Sequence, residues 1–302
     1  MKQNLQTAIL RWHARKGRAS LPWRATTDPY AVLVSEFMLQ QTQVNRVIPI
    51  HGAFLRAFPN WRALAVATLA EVVRAWRGLG YNSRAVRLKR LAEAVVRDHG
   101  GELPRSEGAL RALPGIGAYT AAAVRAFAFN EHCAAVDTNI RRVVHRIARG
   151  IEHPPKMNIK ELHARADALV PERQAREWNA ALMDLGALHC TALAPKCTPC
   201  PALRWCAAGP VDGDHLARAR RRYATKKTPQ ESMPFAQTTR FARGRIVDRL
   251  RDVPRGEMIS FLILHRELKL PYHGEAAIGD ALGALERDGI VRRDGQSFAL
   301  VD

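Results

Sequence analysis

LPGIGAYTAAAVRAF, residues 113–127, is the stretch whose reading decides the fold. Gly115 and Gly117 flank the single apolar residue Ile116, and an alanine-rich segment suited to a helix follows at once. Glycine accepts the backbone of a tight turn, and its missing side chain lets backbone N–H groups come close to a phosphate. A nucleotide-triphosphate loop would carry a lysine after the glycines, and a dinucleotide site would have a strand before them; neither is present. The pattern fits a helix-hairpin-helix that grips one DNA phosphate.

The sequence on either side is helical. Asp28-Pro29 sets an N-cap before a proline in the first turn and opens the helix that carries LVSEFMLQQ. Thr68 and Glu71 form a capping box before VVRAWRGLG, a helix expected to end at Gly78 and Gly80. Apolar residues recur at helical spacing over 83–99, 117–129, 138–149, 159–170 and 173–188, and strand-like alternation is absent up to residue 206. Composition then changes. Residues 211–236, with Arg218, Arg220, Arg221, Arg222, Lys226 and Lys227, read as a basic linker. From 237 to 302, a helix over FARGRIVDRLRD, helices near 257–268 and 275–288, and a hairpin turning at Asp294-Gly295 make a small winged-helix-like module. Such a module serves DNA or protein contact, or packing alone.

The chain has 302 residues and a formal net charge of +19. Such an excess suits a protein that neutralises several phosphates, although an arginine-rich host composition would also raise it. The start MKQNLQTAILRWHARKG lacks the apolar core of a signal peptide, and no apolar run approaches a membrane span. The expected place of action is the cytoplasm.

Four cysteines, Cys190, Cys197, Cys200 and Cys206, follow the pattern C-x6-C-x2-C-x5-C. Without a secretory context they suit a metal centre rather than disulfides. Zinc favours two short-spaced pairs and only one C-x2-C is present, whereas a [4Fe–4S] cluster takes four thiolates at loop-defined spacing. The residues alone leave both open. Cys133 stands apart and reads as a small core residue.

Two carboxylates invite a chemical reading. Glu36 lies among Leu33, Val34, Phe37, Met38 and Leu39, so its helix is expected to be buried and its carboxyl to have a raised pKa, fit for a general acid. The simpler alternative is a rim glutamate facing an arginine. Asp137, in CAAVDTNIRRVVHR, reads first as the N-cap of the helix that starts at Thr138. It can also be an ionised carboxylate that backbone donors hold at low pKa. Two carboxyls with opposed tendencies are what hydrolysis of a glycosidic bond uses.

In this order, LPWR, DPYAVLVSEFMLQQTQV, GLGY, LPGIGAYTA, VDTNIRRV, LMDLGALHC and the four cysteines closely resemble the endonuclease III superfamily over residues 5–207. These are helix-hairpin-helix DNA glycosylases with a [4Fe–4S] cluster. SEFMLQQTQV and LMDLGA look most like the adenine DNA glycosylase branch, which removes adenine mispaired with 8-oxoguanine or guanine. The resemblance implies a mainly α, two-lobed fold: 21–130 as a six-helix lobe with the helix-hairpin-helix, and 1–20 with 131–210 as the cluster lobe. It implies the cluster over zinc at the four cysteines. Glu36 would protonate the leaving adenine, and Asp137, oriented by Asn139, would stabilise the cationic sugar and help deliver water. Tyr119 occupies the slot of the catalytic lysine of the lyase branch, which implies a monofunctional enzyme. Gln40, Gln41 and Tyr81 match positions that wedge into the duplex, Gly115 and Gly117 the phosphate hairpin, and Trp23 and Arg24 the edge of the base pocket. Lys196, Arg141 and Arg142 are expected at phosphates. The implied partner is double-stranded DNA with a mispaired or damaged base, bound by a monomer at the bacterial nucleoid.

The chain departs from that branch in its tail, where longer members carry a Nudix-like domain, and at Ala180, where many have glutamine. VDTNI and Tyr119 are also compatible with the thymine- or uracil-removing mismatch branch, which is the alternative. A second alternative is a redox-sensing regulator that uses the cluster as sensor, a role that leaves Glu36 and Asp137 without purpose.

Overall fold

A computed structural model describes residues 2–150, 158–224 and 233–302. In chain order the helices are α1 (Lys2–Lys16), α2 (Pro29–Leu39), α3 (Val44–Ala57), α4 (Trp61–Val66), α5 (Leu69–Ala75), α6 (Ser83–His99), α7 (Glu107–Ala112) and α8 (Ala118–Phe127). There follow α9 (Thr138–Arg149), α10 (Ile159–Leu169), α11 (Ala175–Leu188), α12 (Gly213–Ala224), α13 (Thr239–Leu250), α14 (Phe261–Leu268) and α15 (Glu275–Arg287). The strands are β1 (Ile259–Ser260), β2 (Val291–Asp294) and β3 (Ser297–Leu300), and short 3-10 turns lie at Pro22–Arg24, Leu203–Trp205 and Phe235–Gln237.

Local rules account for most of these boundaries. Asp28 accepts hydrogen bonds from the Tyr30 and Ala31 N–H groups at 3.1 and 3.3 Å, which satisfies two donors at the start of α2. At α5 both halves of the capping box form: the Glu71 N–H donates to Thr68 Oγ1, and the Thr68 N–H donates to Glu71. This helix ends at Ala75, before the expected Gly78, because the chain turns at Trp76 and then passes through left-handed conformations at Gly78 and Gly80.

Two compact units arise: Met1–Leu33 with Arg105–Ala112 and Ile116–Lys227, and Val34–Pro104 with Leu113–Gly115 and Thr228–Asp302. In the first, α9 and α1 pack on α11 around Ile9, Ile140, Val144, Leu162, Trp178 and Leu182. In the second, α4 packs on α6, with Phe54, Leu64, Trp76, Leu88 and Leu91 fully buried. The C-terminal residues of this unit form an antiparallel sheet in the order β1-β3-β2, with Ile259 opposite Phe298 and Val291 opposite Leu300. Helices α14 and α15 pack on α13, and the hairpin turns through Gly295 at φ 55°.

Two expectations change. The helix expected near 257–268 begins only at Phe261, since Ile259 and Ser260 pair with β3 and Ser260 caps the helix instead. Within the basic stretch read as a linker, Gly213–Ala224 is helical. Asp212 starts it, accepting from the Asp214 N–H at 3.1 Å, and the alanine–arginine sequence has high helix propensity without an apolar stripe. Lys226 and Lys227 lie outside the described residues.

Candidate functional site

Glu36 sits in α2, where every residue from Tyr30 to Met38 is buried, and is itself only 8 % exposed. That is the apolar setting expected of it. Downstream, Leu39 and Gln40 are half-buried and Gln41 is exposed with φ 55°; Tyr81 is 39 % exposed with φ 45°. Left-handed backbone at non-glycine residues costs energy and persists only where the surroundings enforce it.

What enforces it is Arg84, a residue that the sequence reading missed. Its guanidinium, 2 % exposed, donates to the carbonyls of Phe37, Met38 and Gln40 at 2.9, 2.8 and 2.6 Å. It also donates to Thr42 Oγ1, Leu79 O and Gly80 O at 3.0, 3.0 and 3.1 Å. One cation thus caps the C-terminus of α2 and ties the Gln41 turn to the Tyr81 turn. Burial, with the nearby Arg87 charge, pushes its pKa down to about 10, still cationic at neutral pH.

The hairpin loop is anchored by buried Leu113 and Ile116, which leave Gly115 and Gly117 exposed. Gly115 is at φ +79°, and a Cβ there would lie 3.2 Å from the Phe37 ring, so both backbone and space call for glycine. Gly117 has ordinary backbone; it is the N-cap of α8, and a Cβ there would meet nothing. Its open surface exposes the start of α8, and Tyr119 is half-buried on that first turn.

Asp137 caps α9 as expected, with Oδ1 accepting from the Ile140 N–H at 2.7 Å. Asn139 Nδ2 donates to Asp137 Oδ2 at 2.9 Å. The expected low pKa is corrected: burial raises the carboxyl above its ordinary value, outweighing the donors of Ile140 and Asn139 and the Arg142 charge. Arg142 is corrected too. Its guanidinium is spent inside the fold, donating to Asn139 Oδ1 at 2.8 Å, Gly186 O at 2.7 Å and Cys190 O at 2.6 Å. It is therefore not placed for a phosphate. Gly186 allows this approach, since a Cβ there would sit 2.6 Å from that of Asn139. Arg141 is half-buried, and Lys196 is exposed with its N–H bonded to His189 O at 2.8 Å.

Arg24 uses both terminal nitrogens on Asp184, at 2.7 and 2.9 Å, beside buried Trp23. Arg18 adds its N–H and Nε, each at 2.7 Å, and His13 lies 3.3 Å away. Burial alone would raise the Asp184 carboxyl, but His13, Arg24 and Arg18 together hold it far below the usual carboxylate range. Asp184 was not singled out from sequence; the signal was a carboxylate on the otherwise apolar face ALMDLG, one turn after the buried Ala180.

The four cysteines are free of disulfides. Successive three-residue turns (Cys200 N to Cys197 O, Leu203 N to Cys200 O, Cys206 N to Leu203 O) wind three of them around one cavity, which Cys190 also lines. Among the described residues no group of His, Cys, Asp or Glu is arranged to hold a single metal ion. Four thiols lining one cavity are a donor set that a metal centre can take. Donors already face them: Arg146 Nη1 approaches Cys190 Sγ at 3.3 Å, and the Val211 N–H reaches Cys197 Sγ at 3.5 Å. Arg146, also unforeseen, is buried and fixes Thr191 O and Ala192 O at 2.8 and 3.0 Å. Cys133 is a core residue as expected, its thiol pushed up to about 11 by burial.

Residues 34–169 match the HhH-GPD superfamily of base excision DNA repair proteins. An adenine DNA glycosylase of Mycobacterium tuberculosis is 40 % identical over 304 residues, covering 97 % of this chain and 92 % of the relative. The structure of a thermostable thymine-DNA glycosylase superposes with a TM-score of 0.64 at 34 % identity, over 68 % of this chain and 95 % of that one. An endonuclease III from a non-covalent DNA complex aligns at TM-score 0.58 over 72 % of this chain and 99 % of that one, with 22 % identity, a likeness of fold.

Proposed function

The chain belongs to the adenine DNA glycosylases of the HhH-GPD superfamily, and from that membership we propose that it excises adenine mispaired with 8-oxoguanine or guanine. The observation that carries the chemistry is Glu36, a carboxyl only 8 % exposed in a helix whose residues from Tyr30 to Met38 are all buried.

The target base must leave the stack before its glycosidic bond can be reached. Gln40, Gln41 and Tyr81 take its place in the duplex, held out by the Arg84 tie, while Gly115, Gly117 and the start of α8 grip a phosphate. Trp23 and Arg24 border the base pocket. Glu36 then gives its proton to a ring nitrogen of adenine, the C1′–N bond breaks, and its electron pair leaves with the base. Asp137, aimed by Asn139, opposes the positive charge left on the sugar and takes a proton from the water that adds to C1′. Tyr119 offers no amine for a Schiff base, so strand cleavage does not follow. Lys196 contacts phosphate from the cysteine loop.

Cys190, Cys197, Cys200 and Cys206 would hold a [4Fe–4S] cluster, which ties the segment 190–206 into one rigid loop. We place the protein in the cytoplasm, acting as a monomer on the nucleoid; among the described residues no helix is long and apolar enough to cross a membrane.

Glu36→Gln tests the assignment. It should abolish adenine release under single turnover while sparing duplex affinity, a loss on the order of 10²–10⁴-fold for a general acid. Strand cutting in the wild type should appear only after alkali. Undiminished release by the variant would remove Glu36 from the reaction.

A further inference from the structure

One face of α6 is spent on the core, with Leu88, Leu91 and Val95 fully buried. Most charges of this helix are spent as well. Arg84 is buried among carbonyls, Lys89 pairs with Glu93 while donating to Ala65 O at 2.6 Å, and Arg97 pairs with Asp98. Those pairs use both carboxylates of the helix. Arg87 and Arg90 are left. Both are exposed, they lie one turn apart on the solvent face, and among the described residues no carboxylate pairs with either.

The two arginines have different neighbours. A Cβ at Gly115 would stand 3.5 Å from that of Arg87, so this side chain rises directly beside the hairpin turn, within the same compact unit. The same Cβ position lies 3.2 Å from the buried Phe37 ring: Phe37 backs the exposed turn and Arg87 flanks it. Arg90 is turned elsewhere, its Nη2 3.5 Å from the place a Cβ would take at Gly289. The charge of Arg87 also presses on Arg84, one turn before it, and helps to lower that pKa. Two guanidinium charges one turn apart, with no carboxylate to separate them, favour the approach of an anion.

We propose that Arg87 binds the DNA phosphate held at the Gly115 turn, as the one charged side-chain donor of that contact. The inference rests on the hairpin gripping a phosphate. Backbone N–H groups at such a turn supply direction but no net charge, so they release few counterions. A guanidinium beside them adds a full charge and two parallel N–H groups that match phosphate oxygens. The turn then sets the register of the strand, and Arg87 supplies the salt-dependent part of the affinity at that point. Arg90, exposed to the same degree but facing Gly289, has no share in it.

The test measures binding of the whole protein to a fluorescein-labelled duplex containing a tetrahydrofuran abasic analogue, over a series of salt concentrations. Arg87→Ala should bind about tenfold more weakly at low salt, with the slope of log K against log salt shallower by about 0.9. Arg90→Ala is the control and should stay within about twofold of wild type. A second measurement places one methylphosphonate at a time on the phosphates flanking the analogue and compares wild type with Arg87→Ala. At one position the wild type should lose several-fold more affinity than the variant, which no longer has the charged contact to lose. Equal losses by the two proteins at every position overturn the proposal. So does an Arg87→Ala protein with wild-type affinity and slope, or a loss in Arg90→Ala as large as that in Arg87→Ala. A wild type insensitive to every methylphosphonate would sink the hairpin reading together with the proposal. The abasic duplex has no base to release, so failure of wild-type protein to excise adenine would sink the glycosylase reading and leave this test intact.

Discussion

Replacing Arg84 by methionine roughly keeps the volume of the side chain and removes the guanidinium that joins the Gln41 and Tyr81 turns. Seven acceptors lose a donor: the carbonyls of Phe37, Met38, Gln40, Leu79, Gly80 and Tyr81 and the Thr42 hydroxyl. Each hydrogen bond to a charged group is worth about 1.5–3 kcal/mol. The seven do not add, because losing the guanidinium also recovers its burial penalty of several kcal/mol. The balance is a destabilisation of about 3–5 kcal/mol, at the upper end for a single substitution. For a domain of this size that lowers the melting temperature by roughly 6–20 °C. Thermal unfolding followed by circular dichroism reads the first effect, and affinity for an abasic-site duplex reads the second, the loosened wedge. Lysine in place of Arg84 brings three donors for seven acceptors and should fall between. A methionine variant that melts within a degree or two of wild type and binds the abasic duplex equally well would refute the reasoning.

Gly186→Ala should drive a methyl group into Asn139, cost about 1–3 kcal/mol as overpacking, and slow single-turnover base release more than it weakens DNA affinity; unchanged release would show that the Asn139 position tolerates displacement. Burial already raises the Asp137 pKa, so protonation switches the enzyme off at a pH above that of an ordinary aspartate. Asn139→Ala removes a donor to the ionised form, and the acid limb of the pH–rate profile should move further up; a limb that stays in place would separate Asn139 from Asp137. Asp184, whose folded pKa is depressed, contributes stability that is fully present above the unfolded carboxylate value of about 3.9 and is lost only as pH falls through the folded value. Asp184→Asn should therefore lose about 3–5 kcal/mol at neutral pH by stranding half-buried Arg24, and its urea stability should rise less than that of wild type between strong acid and pH ~4. Equal curves for the two proteins would contradict the assigned charge.

What could be read in the chain follows from how local the physics is. Asp28, Thr68 with Glu71, and Asp137 cap helices through groups no more than three residues away, so their roles were visible in the sequence. The all-apolar surroundings of Glu36 are likewise a property of one helix. The residues that hold the site in place were not visible, because their partners are remote in sequence: Arg24 and Asp184 are 160 positions apart, Arg84 and Phe37 47, and Arg142 and Cys190 48. An arginine in a helix looks the same whether it faces solvent, as assumed for Arg142, or a cluster of carbonyls. Asp137 shows a second limit. Its donors could be inferred from the N-cap, but the burial that outweighs them depends on the packing around α9. The helix at Gly213–Ala224 shows a third, since it follows propensity and a cap where the apolar period on which the reading relied is missing.

The measurement closest to the central claim is single-turnover base release by the wild-type protein on duplexes pairing adenine with 8-oxoguanine, adenine with guanine, and thymine or uracil with guanine, each scored with and without alkali. The account predicts fast release of adenine opposite 8-oxoguanine, slower release opposite guanine, none of thymine or uracil, and cut strands only after alkali. Release of thymine or uracil with adenine left in place would contradict it.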